Sequence, residues 1–370
     1  MPATMRQLVY PTYTSPDKFK FRTIAKPEIS GPTEVIVKVY AASVNPVDVK
    51  RASGMMKFVI FDKMPSPLGY DMSGVVEQVG SEVTQFSYGD PVFARLPESR
   101  RGSFQEYVVC DASDLSPKPE CLSYEEAAAL PLAGTTALLG ILRAVEERGG
   151  AAWLKGKTAF VTGGLNGVGA IVCMLLKNVF GVGKLICSVS TQKVELVDKL
   201  LGEGVVDQII DYQISNPSKA LEQGSVDFFY DTVGAPLSFL HTMKPQGEIM
   251  TIVAFPDPEC VKISMPSIPK IALYILSVYS KVCKLRARRY GVEYHSEIVE
   301  SDTKILNRLA NYCTEGKVKP IVAQVADFKN KNEVLNLFVE VSKAKRYTGK
   351  MVARIGKPYV AEVPRGFFAA

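Results

Sequence analysis

The chain has 370 residues, of which 47% are hydrophobic, so it can bury one large core or two of moderate size, and we expect two domains. Lysine and arginine number 44 against 38 aspartate and glutamate, so the net charge of +6 is a modest basic excess. The densest basic cluster lies at residues 281–289. This distribution favours an anionic small molecule as the ligand and argues against nucleic acid.

Seven cysteines are scattered along the chain without a Cys-x-x-Cys pair, which indicates a reducing compartment rather than a disulfide framework. The first ten residues lack the apolar core of a secretory signal and the Arg-rich pattern of a transit peptide, so we predict a cytoplasmic protein with its first strand there. The most apolar stretch, residues 271–279, has about half the length of a spanning helix. We therefore predict no membrane span, and a core, interface or pocket helix at 271–279.

Short alternating patterns dominate the chain up to about residue 111 and predict a β-rich, partly barrel-like domain. The clearest predicted strands are 35–40, 74–80 and 104–109. From Ser123, an N-cap followed by Glu125 and Glu126 in the first turn, the pattern becomes helical. Two helices are predicted, at 123–131 and at about 135–147.

Strands and helices alternate after residue 156. The predicted strands are 158–162, 184–190, 208–211, 226–231 and 247–253, and the predicted helices are 168–180 and 193–201. Their apolar runs are continuous, which is typical of parallel strands covered on both faces. The proline-rich stretch 256–269 reads as irregular, and 291–299 alternates like an edge strand. Helices at 304–313 and 331–344, with strands at 318–325 and 350–355, are predicted to complete the first domain.

A glycine-rich turn at residues 163–169 follows the predicted strand 158–162 and opens a helix. Gly164, Gly167 and Gly169 allow a tight turn and a close approach of the helix to the sheet. The free N–H groups at the helix start, around Val168, can then receive a pyrophosphate. Asn166 occupies the middle glycine of the usual fingerprint, so an ordinary glycine turn is the alternative.

Read in order, several motifs resemble the medium-chain dehydrogenase/reductase superfamily, specifically its zinc-free quinone-reductase and enoyl-reductase branch. They are the glycine-rich turn and residues 43–48, 68–76, 88–92, 126–131, 231–234, 316–320 and 348–352. The resemblance implies an α/β fold: a GroES-like β-rich catalytic domain (1–131 and 301–370) around a doubly wound parallel Rossmann sheet that binds NADPH (132–300). Hydride transfer would take place in the cleft between the two. The spacer 256–289 is longer than in compact quinone reductases and looks closer to fungal relatives.

The resemblance also argues against a catalytic zinc site. Zinc-dependent relatives hold a catalytic zinc with a cysteine, a histidine and a second cysteine, and the corresponding residues here are Asn45, Tyr70 and Leu132. These do not form a zinc ligand set. Without a Lewis acid, nothing would stabilise the alkoxide needed for alcohol oxidation, so reduction of a conjugated C=C bond is favoured.

NADPH is the predicted cofactor. NAD-specific folds place a carboxylate after the second strand to hold the ribose 2′-OH, whereas residues 187–193, where that strand ends here, contain no carboxylate. The hydroxyls of Ser190 and Thr191 and the ammonium of Lys193 suit a 2′-phosphate. Tyr212 matches a family tyrosine that lies along the same phosphate. The alternative is that Lys193 is a solvated helix residue.

Catalysis needs a donor for the substrate carbonyl oxygen and a proton for the carbon beside it. Asn45, Lys50 and Tyr70 are the candidates, since the Asn-Pro-x-Asp-x-Lys pattern resembles fungal trans-acting enoyl reductases. Asp48 is expected to orient the loop. The alternatives are that Asn45 caps a turn, that Lys50 is solvated, and that Tyr70 fills the space left by a zinc ligand.

Further residues are expected at the carboxyl edge of the parallel sheet, where they would border the nicotinamide. They are Thr135, Thr136, Thr232, Val233, Ala254 and Phe255.

The predicted function is a zinc-independent, NADPH-dependent reductase of an α,β-unsaturated carbonyl or a quinone. A biosynthetic enoyl reductase acting on a polyketide-like intermediate is a narrower form of it, and a non-catalytic NADPH-binding or partner-binding member is the alternative. A homodimer is expected, with strand 291–299 pairing with its symmetry mate.

Overall fold

The computed structural model describes residues 3–57, 60–253, 255–264, 268–296, 301–343 and 347–356. Its strands are β1 (Thr4–Tyr10), β2 (Lys20–Ala25), β3 (Glu34–Val44), β4 (Ser66–Pro67), β5 (Asp71–Val79), β6 (Pro91–Arg95), β7 (Tyr107–Asp111), β8 (Ser116–Pro117), β9 (Thr158–Thr162), β10 (Lys184–Val189), β11 (Gln208–Asp211), β12 (Val226–Asp231), β13 (Met243–Thr251), β14 (Glu293–Ser296), β15 (Val322–Asp327) and β16 (Lys350–Arg354).

The α-helices connect these strands or flank the sheets. They are α1 (Pro46–Ala52), α2 (Tyr124–Ala129), α3 (Pro131–Ala144), α4 (Gly167–Met174), α5 (Leu196–Leu201), α6 (Pro217–Ala220), α7 (Pro258–Ser264), α8 (Lys270–Arg288), α9 (Thr303–Thr314) and α10 (Lys331–Ser342). Ser123 caps α2 as predicted, because its hydroxyl accepts from the Glu126 N–H.

A seven-stranded sheet in the order β15-β16-β3-β5-β6-β8, with β7 paired to β3, forms the β-rich part. The long strand β3 lies at its centre, and all but one of its residues are buried. A smaller sheet, β2-β1-β4, lies beside it. The last strands of the chain, β15 and β16, therefore join the first ones, as the sequence predicted.

The second large sheet has the order β11-β10-β9-β12-β13-β14, and all its neighbours are parallel. In order along the chain this is 3-2-1-4-5-6, the doubly wound order of a Rossmann sheet. Apolar clusters cover both faces, one around Val161 and Phe228 and the other around Phe160 and Phe229. The predicted fold class is confirmed.

In the segment between β13 and β14, two sequence expectations differ from the structure. The stretch 256–269, expected to be irregular, contains helix α7. The apolar stretch 271–279 is the first half of α8, and none of its residues is buried; the buried residues of α8 are Ser280, Cys283 and Ala287. The expectation of a core helix at 271–279 is therefore wrong, and an interface or pocket helix remains. The reason is that α8 packs on the sheet through one narrow face, which lies in the second half of the helix.

Helix α9 bears on the domain division. Its residues Ile305 and Leu309 belong to the same buried cluster as Val161 of the Rossmann sheet. The boundary at residue 301 stays a prediction, because this helix packs beside α3 and also contacts β8 of the β-rich sheet. Within the described residues, no helix is long and apolar enough to cross a membrane.

The edge strand β14 leads to a prediction about assembly. Its side chains alternate, with Val292 and Tyr294 buried and Glu293 and His295 half-buried, while residues 297–299 of the predicted strand lie outside the described residues. Because β14 is the outermost strand, one edge of its backbone lacks a neighbouring strand within the described chain. We expect two copies to pair there, so that sedimentation equilibrium at micromolar concentration gives twice the chain mass of 40.5 kDa.

Amide hydrogen exchange provides the control for this prediction. Dilution below the dimer dissociation constant should speed exchange in β14 and leave exchange in the central strand β9 unchanged. A monomer at micromolar concentration, with slow exchange in β14, would show that the edge is protected in another way.

Candidate active site

The glycine-rich turn between β9 and α4 is compact because its backbone segments nearly touch. Gly163 has a φ of +67°, and a Cβ there would lie 2.5 Å from Asn166 Nδ2. A Cβ on Gly169 would lie 2.3 Å from the Gly163 carbonyl oxygen, and one on Gly164 would lie 2.7 Å from Cys187 Sγ. Glycine is thus required at all three positions. Gly163, which the sequence analysis did not single out, is the one with a left-handed backbone.

Asn166 organises the start of α4. Its Oδ1 accepts from the N–H groups of Val168 at 3.1 Å and Gly169 at 2.7 Å, and its Nδ2 donates to Thr232 Oγ1 at 2.7 Å. The sequence analysis expected these two N–H groups to be free, and that expectation is wrong because the short asparagine amide caps the helix itself. A pyrophosphate at this turn must displace the cap or bind next to it.

Asp231 fixes the loop that follows β12. Its Oδ1 accepts from the N–H groups of Val233 at 3.1 Å and Gly234 at 3.0 Å, and from Thr162 Oγ1 at 2.9 Å. Its Oδ2 accepts from Thr251 Oγ1 at 2.8 Å. One buried carboxylate therefore joins the ends of β9, β12 and β13. Part of the signal was present in the sequence, since the predicted strands 158–162 and 226–231 end in the polar residues Thr162 and Asp231.

An open groove of about 590 Å³ lies beyond this edge of the sheet, between the loops and α8. It is lined by Gly234, Ala235, Pro236, Leu237, Ser238, Val253, Phe255, Pro256, Tyr279 and Arg286. The exposed Phe255 ring meets Tyr279 edge-to-face, with centroids 5.2 Å apart. Val233 is exposed beside the groove, and Ala254 lies outside the described residues. Thr135 and Thr136 are buried within α3.

The residues predicted to hold a 2′-phosphate follow β10 and β11. Ser190 is half-buried, Thr191 is exposed, and Tyr212 is 45% exposed. Lys193 Nζ donates to the Tyr347 carbonyl oxygen at 2.7 Å, and burial lowers the pKa of this lysine. The alternative of a solvated Lys193 is therefore wrong, because its ammonium is held by the chain.

The segment before β16 contacts the glycine-rich turn. The Gly349 N–H donates to the Leu165 carbonyl oxygen at 2.9 Å, and Gly349 bridges Asn166 as in neighbouring parallel strands. Gly349 has a φ of +80°, and a Cβ there would lie 2.3 Å from the Ile321 carbonyl oxygen. We call this contact the clasp, defined by residues 347–350 against 163–169.

A buried polar cluster lies where the clasp enters the β-rich sheet. Lys350 Nζ donates to Asn45 Oδ1 and lies 3.4 Å from Asp71 Oδ2. Asp71 Oδ2 also accepts from Asn45 Nδ2 at 2.9 Å and Ser43 Oγ at 3.0 Å, and its Oδ1 accepts from the Leu132 N–H at 3.0 Å. Burial lowers the pKa of Lys350, against the opposing attraction of Asp71 and Asp48. Sequence reasoning did not single out Lys350 or Asp71.

Asp48 is buried next to this cluster. Its Oδ2 accepts from the Asn45 N–H at 2.8 Å and its Oδ1 from the Gly69 N–H at 3.0 Å. The carboxyl group thereby joins the loop before α1 to the loop before β5. Burial raises the pKa of Asp48 to about 7, partly offset by the Asn45 N–H.

Tyr70 belongs to a different network. Its hydroxyl donates to Glu98 Oε2 at 2.9 Å and accepts from Arg51 Nη1 at 3.1 Å. Arg51 in turn pairs with the buried Asp62. Burial raises the pKa of Tyr70 well above its ordinary value.

Lys50 lies on α1 with an exposed side chain. Its ammonium makes no ion pair or hydrogen bond within the described parts of the chain. The structure therefore does not bring the four predicted catalytic residues into one constellation. Asn45 and Asp48 share a turn, Tyr70 lies in a separate ion network, and Lys50 faces solvent.

The three residues that correspond to the zinc ligands of zinc-dependent relatives have other roles. Asn45 makes hydrogen bonds with Asp71 and Lys350, and Tyr70 makes one with Glu98. Leu132 contributes only its backbone N–H, which donates to Asp71. Over the ranges that the structure describes, no group of three or more His, Cys, Asp or Glu residues is arranged to hold a metal ion.

Residues 31–120 match the alcohol dehydrogenase GroES-like domain family, and residues 206–352 match the zinc-binding dehydrogenase family. The chain is 32% identical over 360 residues to the 2-methylene-furan-3-one reductase of Solanum lycopersicum, covering 95% of this chain and 79% of that protein. It is 31% identical over 330 residues to the chloroplastic NADPH-dependent alkenal/one oxidoreductase of Arabidopsis thaliana, covering 87% and 72%.

Solved structures show the same fold. The quinone oxidoreductase from Coxiella burnetii superposes with a TM-score of 0.75 at 23% identity, over 96% of this chain and all of that chain (100%).

The buried Asp48 carboxyl predicts a pH dependence of stability. Its pKa is about 7 in the folded chain against an ordinary 3.8, so folding favours its protonated form. The stabilisation is complete below the unfolded pKa and is lost as pH rises through about 7. Relative to Asp48→Asn, the unmodified protein should lose unfolding free energy on the order of 4 kcal/mol across this window. Urea unfolding at a series of pH values measures it.

The matched control is Asp198→Asn, which changes an exposed carboxylate on α5. It should leave the pH profile unchanged. Parallel profiles for the unmodified protein and Asp48→Asn would mean that the Asp48 carboxyl is ionised throughout and that its pKa is not raised.

Proposed function

The chain belongs to the medium-chain dehydrogenase/reductase superfamily, and from that premise we propose that it is a zinc-independent, NADPH-dependent reductase of the C=C bond of an α,β-unsaturated carbonyl, or of a quinone. The proposal rests on one observation above all. A buried lysine ammonium, that of Lys350, occupies the polar cluster around Asn45 and Asp71.

This cluster argues against a catalytic zinc, although residues 206–352 match a family named for zinc binding. Asn45 stands at one of the expected ligand positions, and its amide is already held by Asp71 and Lys350. A divalent cation there would be repelled by the adjacent ammonium in a site of low dielectric constant. Amide, phenol and leucine side chains also lack the affinity that thiolate and imidazole ligands give zinc.

Reduction of an activated C=C bond is the chemistry that such a site supports. A bound nicotinamide would supply hydride to the carbon β to the carbonyl, and the protein's residues must stabilise charge on the carbonyl oxygen. Of the four candidates, Lys50 has an exposed polar group, while Asn45, Asp48 and Tyr70 are engaged in internal hydrogen bonds. We assign Lys50 the role of donor, and the other three the role of positioning the loop.

The proposed cofactor fits the described residues. The glycines of the 163–169 turn allow a close approach of the backbone to a pyrophosphate, which must displace the Asn166 cap or bind next to it. Residues 190–193, directly after β10, contain no carboxylate, and Ser190, Thr191 and Lys193 offer hydroxyls and an ammonium for a 2′-phosphate. Lys193 must then share its ammonium between that phosphate and the Tyr347 carbonyl oxygen. The name of the Arabidopsis relative includes NADPH as its reductant, which supports the same choice.

The relatives and the groove support the proposed substrate class. The names of the plant relatives describe reduction of a methylene-furanone and of alkenals or alkenones. The groove beside the sheet edge is lined by Leu237, Val253, Phe255 and other apolar side chains, with Arg286 at its wall. An apolar enone fits this lining. A polyketide-like substrate, the cytoplasmic location and the domain bounds given above stay predictions.

A non-catalytic member of the family is the second candidate, and a specific observation favours it. Asn166 caps the N–H groups at the start of α4, and Lys193 is tied to Tyr347, so groups proposed to bind the cofactor have internal partners. The test is the oxidation of NADPH by the purified protein against a panel of enones, alkenals and quinones. Turnover of any of them excludes the second candidate, and NADPH binding without turnover supports it.

Lys193 should determine the preference for NADPH over NADH. We expect the unmodified protein to bind NADPH at least tenfold tighter than NADH, a difference of about 1.4 kcal/mol, because one charge-assisted phosphate contact can supply it. Lys193→Glu should reduce or invert this ratio, as measured by fluorescence titration with both cofactors. The control Lys199→Glu alters an exposed lysine on α5 and should keep the ratio. Equal affinities in the unmodified protein would contradict the assignment.

Lys50 should affect turnover more than binding. Lys50→Met is expected to lower kcat by about 100-fold, the smaller end of the effect of losing a general acid, with little change in KM. Steady-state kinetics with an enone substrate measures both, and Lys20→Met, an exposed lysine on β2, is the matched control. An unchanged kcat would remove Lys50 from the mechanism.

A further inference from the structure

Helix α8 packs on the Rossmann sheet through a narrow face. Its buried residues are Ser280, Cys283 and Ala287, and the last two lie in the apolar cluster that includes Tyr294 of β14. At about 100° per residue, these three side chains fall within an arc of about 60°. All of them are in the second half of the helix.

The opposite face of α8 is an exposed apolar stripe. Its residues are Ile271, Tyr274, Ile275, Val278, Val282 and Leu285. At about 100° per residue they span an arc of roughly 100° whose centre is nearly opposite the buried face. Ile271, Tyr274 and Ile275 are 68%, 67% and 61% exposed. An exposed apolar surface of this length usually marks an interaction site.

Every charged residue of α8 is basic. Lys284 pairs with Asp257 and Arg288 lies 3.7 Å from Glu293, whereas Lys270, Lys281 and Arg286 have exposed side chains without an ion pair in the described regions. On the helical projection, at about 100° per residue, Lys270 and Lys281 border one side of the apolar stripe and Arg286 borders the other.

We propose that α8 is a membrane-docking helix whose apolar stripe enters the interface of an anionic lipid bilayer. A helix with an apolar face bordered by lysine and arginine lies in the plane of such an interface, with the stripe among the acyl chains and the cations at the lipid phosphates. The long basic side chains can keep their aliphatic stems in the apolar layer. The helix docks and does not span, in keeping with its charge content.

The charges favour this occupant over two others. A second copy of the chain pairing through the same face would bring Lys270, Lys281 and Arg286 against the same cations of its partner, which repel one another. An acidic protein that enfolds a basic helix needs more than one of its faces. Here Cys283 and Ala287 hold one face on the sheet, so a partner cannot surround the helix.

Vesicle co-sedimentation tests the proposal. The purified full chain should bind vesicles of phosphatidylcholine with phosphatidylserine at least tenfold more strongly than vesicles of phosphatidylcholine alone. Added salt should weaken the binding to the anionic vesicles, because it screens the attraction of the lysines and arginines.

Two variants separate the apolar and electrostatic contributions. Ile275→Glu and Lys281→Glu should each lower the affinity for anionic vesicles about tenfold or more, and neither residue lines the groove. The matched controls are Ile214→Glu, which alters an apolar residue 79% exposed elsewhere, and Lys199→Glu. Far-UV circular dichroism and Tm should be unchanged in all four, since all four side chains are exposed.

Three outcomes would overturn the proposal: no binding to anionic vesicles, equal binding by Ile275→Glu and the unmodified protein, or a fall in oligomeric mass caused by Ile275→Glu. The last would assign the stripe to a second copy of the chain. These outcomes are independent of NADPH oxidation, so failure of the proposed function would leave the membrane test intact.

Discussion

The clasp between residues 347–350 and the glycine-rich turn is the contact on which the arrangement of the molecule depends. The Gly349 backbone bonds Leu165 beside the start of α4, and the next residue, Lys350, places its ammonium among Asn45 and Asp71 in the other sheet. The stem of Lys350 lies so close to Gly167 that a Cβ there would be 2.8 Å from Lys350 Cδ. Lys350 thus contacts both the glycine-rich turn after β9 and the polar cluster of the β-rich sheet.

Charge balance explains why this junction tolerates a buried lysine. An unpaired ammonium in the interior would lose its proton or destabilise the fold, whereas two carboxyl groups, those of Asp71 and Asp48, attract this one. The carboxyl of Asp71 is itself saturated by Ser43, Asn45 and the Leu132 N–H. Such a network fixes side-chain positions more than it stabilises the chain, because desolvation offsets most of the Coulomb attraction. Asn45 and the start of α1, the helix that contains Lys50, are consequently held in one geometry.

The sequence predicted the elements whose signals are local. Strand β9 and the helix after it follow from an apolar run, glycines and a helical pattern within about twenty residues, and β11 and β12 were predicted at their observed bounds. The clasp was not predictable in this way, because Lys350 and Asn45 are 305 residues apart along the chain. The expectation of free N–H groups at the start of α4 was wrong for a different reason: whether the Asn166 side chain caps these groups depends on its conformation, which the residue type alone does not determine. The positions of Asn45, Asp48 and Tyr70 depend likewise on contacts between distant segments.

Helix α8 shows the limit of apolar content as a guide to burial. Residues 271–279 are the most apolar stretch of the chain, yet the half of α8 that contains Ser280, Cys283 and Ala287 is the one that enters the core. Small side chains allow the helix axis to approach the sheet, and the larger apolar side chains are left on the outside. Because the buried face is fixed against β14, the direction of the exposed stripe is fixed as well. Tyr279 and Arg286 of the same helix line the groove beside the sheet edge, so a bilayer bound to the stripe would lie next to the groove, and the apolar substrate proposed above would pass from lipid to the groove without crossing water.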